Sequence, residues 1–286
     1  MATETLALEK VADLDVSAAS GLVALGAELF VVADDELFLA AFDTAGAARR
    51  RFALFDGDLP DEHKARKRHK PDLEALTLLP NGQLLALGSG STPSRMRSVC
   101  VDPARPERRV QSDWSELFTE LMRSLPELNI EGAAVQGERL WLAQRGNGAS
   151  GMNACVELDL AAACRALENG APLEASALLA IHPVRLGEIE GAPLSLTDLC
   201  AHPDGGLLFS AAAEPSGSTY DDAPTTGSAV GMLDLQGNVA CCLRVAERCK
   251  LEGIALACDT RHTLWLVADP DDRALRAPLY RASWRY

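Results

Sequence analysis

This 286-residue sequence predicts a single all-β domain, a five-bladed β-propeller, on three observations. A short motif beginning with an acid or hydroxyl recurs five times: Ser20-Gly21-Leu22, Glu74-Ala75-Leu76, Glu131-Gly132-Ala133, Asp198-Leu199-Cys200 and Glu252-Gly253-Ile254. Each copy leads through a turn carrying Gly or Asp into a second apolar run, such as Leu29-Phe30-Val31-Val32 or Leu140-Trp141-Leu142-Ala143, the pattern of strands in tight antiparallel succession. Successive copies are 54, 57, 67 and 54 residues apart, and the stretch from Glu252 through the chain ends to Ser20 is again 54. The ring therefore closes on five.

Each unit continues with a third run, as in Ser98 to Asp102 or Ala154 to Asp159, and four of them with a more polar fourth, as in Arg109 to Asp113 or Val239 to Val245. The blades are expected at residues 19–55, 73–113, 130–182, 197–245 and 251–286, within one domain over residues 1–286. The last unit lacks a fourth run, so an N-terminal strand within residues 5–16 is expected to complete it and remove a free sheet edge. Two short helices interrupt the pattern. Ser112 to Leu125 has apolar residues at helical spacing with Ser112 as its expected N-cap, and Leu158 to Asn169 ends at Gly170.

Composition narrows the function. With 27 Lys and Arg against 41 Asp and Glu the net charge is −14, which argues against a nucleic-acid partner, because such binding rests on neutralising phosphates. No apolar run is long enough to span a membrane, and the N-terminus lacks a basic and then apolar leader, so the expected location is cytoplasmic. The eight cysteines include no CxxC pair and read as buried, reduced thiols.

In a propeller the first strand of each blade lines the central channel. Ser20, Glu74, Glu131, Asp198 and Glu252 are therefore expected to form a ring there. Converging carboxylates repel, and the chain relieves this by protonating them or by holding a cation. An oxygen-only ligand set favours Ca²⁺ ahead of Mg²⁺. The competing reading is that these acids accept hydrogen bonds from neighbouring backbone amides and hold no metal.

The order Ser, Glu, Glu, acid or hydroxyl, Glu, one per blade, resembles the soluble calcium-activated nucleotidases of the apyrase family. The matching stretches are Ser20-Gly21-Leu22-Val23 with Val32-Ala33-Asp34-Asp35, Leu73-Glu74-Ala75-Leu76 and Leu251-Glu252-Gly253-Ile254-Ala255. The Glu-Gly-Ile pattern is also similar to phytase-like and SdiA-regulated propellers. The first resemblance implies a five-bladed ring with a central Ca²⁺. Thr197-Asp198 stands where that family has a hydroxyl.

One face collects unusual residues. The stretch His63 to Lys70 holds five of the 27 basic residues, and Ser89 to Arg95, Arg145 to Gly148, Ser216 to Tyr220 and Asp269 to Arg273 are expected around it. Positive charge on one face of an acidic protein focuses anions, and Arg95, Arg97, Arg145 and Arg273 can make forked contacts to phosphate or carboxylate. Asp34 and Asp35, or Glu214, are candidates to orient water. The plainer reading of the basic run is a solvated loop. The expected function is a Ca²⁺-dependent hydrolase of phosphoanhydride or phosphoester bonds in a small anionic substrate. The alternatives are a non-catalytic propeller that binds a small ligand or a protein through the same face, and a lactonase-type hydrolase.

Overall fold

The computed structural model describes residues 5–147, 149–215 and 225–286. Its strands form a five-bladed β-propeller, one antiparallel sheet per blade. The chain opens with β1 (Thr5–Leu6) and β2 (Glu9–Leu14). Blade 1 follows as β3 (Ala19–Leu25), β4 (Glu28–Ala33), β5 (Phe38–Asp43) and β6 (Ala48–Ala53). Helix α1 (His63–His69) leads into blade 2, built from β7 (Leu73–Leu78), β8 (Leu84–Gly88), β9 (Arg97–Asp102) and β10 (Arg105–Asp113). After α2 (Ser115–Leu121), blade 3 comprises β11 (Ile130–Gln136), β12 (Arg139–Gln144) and β13 (Asn153–Asp159), then α3 (Leu160–Asn169) and the outer strand β14 (Leu178–Val184). A short β15 (Glu188–Ile189) precedes blade 4, made of β16 (Ala192–Ala201), β17 (Leu207–Ala213), β18 (Gly227–Leu233) and β19 (Val239–Val245). Blade 5 contains β20 (Lys250–Leu256), β21 (Thr263–Asp269) and β22 (Ala277–Ser283).

The ring is shut as the sequence predicts. Strand β2 is the outer strand of blade 5, pairing antiparallel with β22 from Glu9 opposite Arg281 to Leu14 opposite Ala277. Strand β1 extends the closure to blade 4 by pairing parallel with β19, Leu6 opposite Val245. Ten N-terminal residues thus staple two blades. No helix among the described residues is long and apolar enough to cross a membrane.

Two-residue periodicity fills the five seams between blades, because alternate side chains of a strand point to opposite faces. On β12, Leu140 and Leu142 pack toward blade 2 while Trp141 and Ala143 pack toward blade 4. Five apolar clusters result, one per seam. The seam between blades 2 and 3 also takes Trp114, Leu117, Phe118 and Leu121 from the α2 region. The N-cap of α2 is Trp114, not Ser112, whose hydroxyl instead donates to the carbonyl of Ala171 at 2.6 Å. Helix α3 starts at Asp159, whose side chain accepts from the Ala162 amide, and ends at Gly170 with a left-handed φ of 61°.

Every first strand shifts register at the same level: between Ala19 and Leu22, Leu73 and Ala75, Ile130 and Gly132, Leu196 and Asp198, and Leu251 and Gly253. The extra residues are Ser20, Glu74, Glu131, Thr197 and Glu252. Bulges of this kind re-aim a side chain, here at the mouth of the channel. The fourth member is therefore Thr197, and Asp198 falls one place later, level with Gly21, Ala75, Gly132 and Gly253. A one-residue slip moves a strand side chain to the opposite face, which is why Asp198 leaves the expected ring. The first strands also crowd one another near the axis. A Cβ on Gly132 would lie 2.6 Å from Cα of Asp198, and one on Gly253 would lie 2.6 Å from the carbonyl of Ser20.

The thiols divide. All eight cysteines are free; Cys100 and Cys155 are buried, whereas Cys242 and Cys258 are exposed, unlike the burial expected of them. Cys242 lies on the outward side of β19, the outer strand of blade 4, and Cys258 in the turn after β20, where one face meets solvent.

Candidate functional site

The bulges open onto a cavity of about 270 Å³ at the channel mouth, lined by ten carboxylates and seven cationic side chains. Ser20, Glu74, Glu131 and Glu252 all reach it, each from the bulge of its own first strand. So do the residues two places earlier, Ala18, Asp72, Asn129 and Lys250, because strand residues i and i−2 share a face. The loops after the second strands add Asp34, Asp35, Arg145, Glu214 and Asp269 with Asp271.

One half of the cavity is organised by Arg145, which is 5% exposed. Its Nη1 lies 3.1 Å from Glu131 and 3.3 Å from Glu252, and its Nη2 lies 2.8 Å from Glu214. Asn129 donates to the other oxygen of Glu131 at 2.6 Å. Lys250 adds contacts at 3.3 Å to Glu252, 3.5 Å to Glu214 and 2.8 Å to Asp271. A guanidinium and an ammonium therefore answer the repulsion between these ring acids. Burial and the neighbouring carboxylates raise Glu131 to about 7 against the pull of Arg145, and burial raises Asp269 to about 8.

The other half is built on Asp34, Asp72 and Glu74. Each offers an oxygen, and the three oxygens lie within 4.8 Å of one another. Asp72 holds a left-handed φ of 56° although it is not glycine, a conformation that costs energy and collects at functional sites. Its carboxylate accepts from Ser89 Oγ at 2.6 Å and pairs with Arg95 at 2.9 Å and Lys70 at 3.0 Å. Lys70 also contacts Asp34. Glu74 has no ion pair or hydrogen bond among the described residues. Burial, with Glu131, Asp72 and Asp34 close by, raises its carboxyl well above the usual range.

The basic run is a helix, not a loop. Arg66, Lys67 and Lys70 line the cavity from α1, while Lys64 faces solvent. Glu62 caps α1 by accepting from the amides of Lys64 and Ala65. Arg66 donates to the Asp35 carbonyl at 2.6 Å, and Arg273 donates to the Asp35 carboxylate at 2.9 Å.

Two expected site residues lie elsewhere. Arg97 is exposed at the start of β9 and does not line the cavity. Asp198 is 0% exposed and sits in the hub beneath the cavity. Its Oδ1 accepts from the Leu199 amide at 2.8 Å and its Oδ2 from the Ile254 amide at 2.9 Å, and the amides of Leu22 and Ala133 lie near enough to favour its charged form. Those four amides stand two places past the bulge in four blades, so one carboxylate faces four first strands and bonds β16 to β20. This is the amide-bonded arrangement that competes with metal ligation. Thr197, at the true bulge position, donates to Ser210 Oγ at 2.9 Å. Gly148 and the stretch Ser216 to Tyr220 lie outside the described residues. The sequence argument missed Asp72, Asn129 and Lys250 individually, though the i−2 rule applied to the ring would have found all three.

These buried acids set a pH dependence. Glu74, Glu131, Glu252 and Asp269 are all raised, chiefly by burial, so between about pH 5 and 8 the folded chain holds protons that the unfolded chain releases. Stability then falls as pH rises through this window. Asp43 and Asp234, held low mainly by hydrogen bonds in their turns, act oppositely and lose their contribution below about pH 4. Urea unfolding of chelator-treated protein is expected to show a maximum near pH 5 and a decline of about 1–3 kcal/mol by pH 8. A flat or rising profile over that range contradicts the assignment.

Comparison with known proteins places the chain. It belongs to the DUF6929 family, described as a family of unknown function, whose sequence model matches residues 15–283. No curated protein matches it by sequence. Among solved structures it is similar to Myxococcus xanthus glutaminyl cyclase, at 12% identity and TM-score 0.57, covering 99% of this chain and 100% of that one. It is also similar to a luciferin-regenerating enzyme, at 10% identity and TM-score 0.51, covering 98% of this chain and 97% of the other. Kuenenia stuttgartiensis hydrazine synthase matches at 13% identity and TM-score 0.45 over 90% of this chain, which spans only 57% of that chain's length. At such identities the likeness is one of fold.

Proposed function

We propose that this member of the DUF6929 family is a divalent-cation-dependent hydrolase working at the channel mouth, with Asp34, Asp72 and Glu74 holding the cation. The observation that carries this reading is their convergence within 4.8 Å, together with a Glu74 carboxylate that makes no ion pair or hydrogen bond among the described residues. Oxygens bound to one Ca²⁺ at about 2.3–2.6 Å lie at most about 5 Å apart, the span these three already share. An all-oxygen set of mixed strand and loop origin suits Ca²⁺ better than the stricter octahedron of Mg²⁺. Glu131 and Glu252 fall outside the trio whose oxygens lie within 4.8 Å, and Arg145 stands between them.

A cation bound there supplies a Lewis acid for a substrate oxygen. Glu131, raised to about 7, is suited to take a proton from water near neutral pH, and Asn129 and Arg145 hold its carboxylate in place. Arg95 and Arg145 are engaged by Asp72, Glu131, Glu252 and Glu214, which leaves them little capacity to clamp a phosphate. A small uncharged carbonyl ester or lactone therefore suits the cavity better than a phosphoester.

Calorimetric titration of chelator-treated protein is expected to show one Ca²⁺ site that Glu74→Gln weakens at least tenfold. Lactones, carboxylic esters and phosphoesters assayed with Ca²⁺ and with chelator are expected to show chelator-sensitive hydrolysis of a lactone or ester. Glu131→Gln is expected to lower its kcat about 100-fold while Ca²⁺ still binds. Ca²⁺ binding without hydrolysis of any of them would leave a binding propeller with a structural cation. Absence of both removes the proposal.

A further inference from the structure

The acid trio already contains a cation, and it is covalently part of the chain. Lys70 is the C-cap residue of α1, and its side chain is 13% exposed. Its ammonium contacts Asp34 and lies 3.0 Å from Asp72, two of the three carboxylates that converge there. A divalent ion taking oxygens from Asp34 and Asp72 competes with that ammonium for the same lone pairs.

The same carboxylates anchor α1. Lys70 links the end of the helix to Asp34 and Asp72. Arg95, paired with Asp72 at 2.9 Å, also donates to the Lys67 carbonyl at 3.1 Å. Arg66 donates to the Asp35 carbonyl at 2.6 Å, while its distances to the carboxylates of Asp35 and Glu36 are both 3.9 Å. Two of the helix's ties therefore run through Asp72.

We infer that Lys70 is a built-in counter-cation that a divalent ion must displace from Asp34 and Asp72, and that its displacement loosens α1 over the channel mouth. The inference rests on the cation site proposed above and adds its regulation: ion binding is coupled to opening of the cavity. When no divalent ion is bound, the ammonium limits mutual repulsion in the trio and holds the helix down. When the ion binds, Lys70 swings toward solvent and α1 loses the tie at its C-terminal end.

Two measurements test this on the full chain. Calorimetry with CaCl₂ compares the wild type with Lys70→Met and with Lys67→Met, which removes the same charge from the same wall. Lys70→Met is expected to raise Ca²⁺ affinity at least tenfold, and Lys67→Met less than threefold. Equal gains from the two variants mean that long-range charge, not displacement, is responsible, and an unchanged or lower affinity in Lys70→Met overturns competition outright. Hydrogen exchange of amides 63–69 in chelator supplies the second readout, which needs no metal. Lys70→Met is expected to speed their exchange at least tenfold more than it speeds that of the blade-strand amides, and exchange raised no more than in the strands shows that Lys70 does not hold the helix. Should wild type and Lys70→Met both fail to bind Ca²⁺ while the exchange result stands, the cation reading falls and the tether remains.

Discussion

Asp198→Ala is expected to cost about 4 kcal/mol of folding stability, because it strips the acceptor from at least two buried amides at about 1–3 kcal/mol each. The Leu199 and Ile254 amides lose bonds of 2.8 and 2.9 Å, and the nearby amides of Leu22 and Ala133 lose a facing carboxylate. Neighbouring strands cannot rotate to find substitutes, since the backbones already crowd at Gly132 and Gly253. For a chain of this size the loss corresponds to a fall in Tm of about 10 °C. Asp198→Asn does not rescue it: one acceptor oxygen survives, but the new NH₂ group faces an amide donor. If Asp198 were instead a cation ligand, its removal would lower Ca²⁺ affinity and leave the metal-free protein nearly as stable as before. Urea unfolding in chelator separates the two, and a loss below about 1 kcal/mol would discard the hub.

Arg145→Met keeps most of the side-chain volume and removes the charge that Glu131, Glu214 and Glu252 share. Removing one partner of a buried ion cluster costs about 3–5 kcal/mol because the remaining charges are left uncompensated. Here that cost depends on pH. Burial already raises Glu131 and Glu252, with Arg145 the leading influence that lowers each. Without it their pKa values rise further, and the folded variant takes up protons that the unfolded chain does not hold. The penalty is therefore full near pH 8 and shrinks toward pH 5, where neutral carboxyls no longer need the guanidinium. Unfolding of both proteins at the two pH values measures this, and an equal penalty at each would show that Arg145 acts through packing alone.

The blade count was readable because it rests on spacing. Five motifs at near-equal intervals leave no room for a sixth unit, and the missing fourth run after Trp284 points directly to the N-terminal strand. The ring was readable at Ser20, Glu74, Glu131 and Glu252, each of which lines the cavity. It failed at blade 4, where Thr197 and Asp198 are adjacent and both suit the motif. Nothing local distinguishes them; the pairing of β16 with β17 does. Composition likewise marked His63 to Lys70 as unusual, but not that Arg66, Lys67 and Lys70 face the cavity while Lys64 faces water.

Pattern and periodicity thus account for the all-β ring, its closure and the level at which chemistry gathers, since these follow from alternation along each strand and equal lengths between strands. The pairing of charges did not follow. Arg145 reads as an anion clamp in one dimension and is a counter-ion to three acids in space; Lys70 reads as part of a solvated run and fills the acid trio. Coulomb attraction depends on distance through space, and residues 131, 145, 214 and 252 meet only once five blades have closed around one axis.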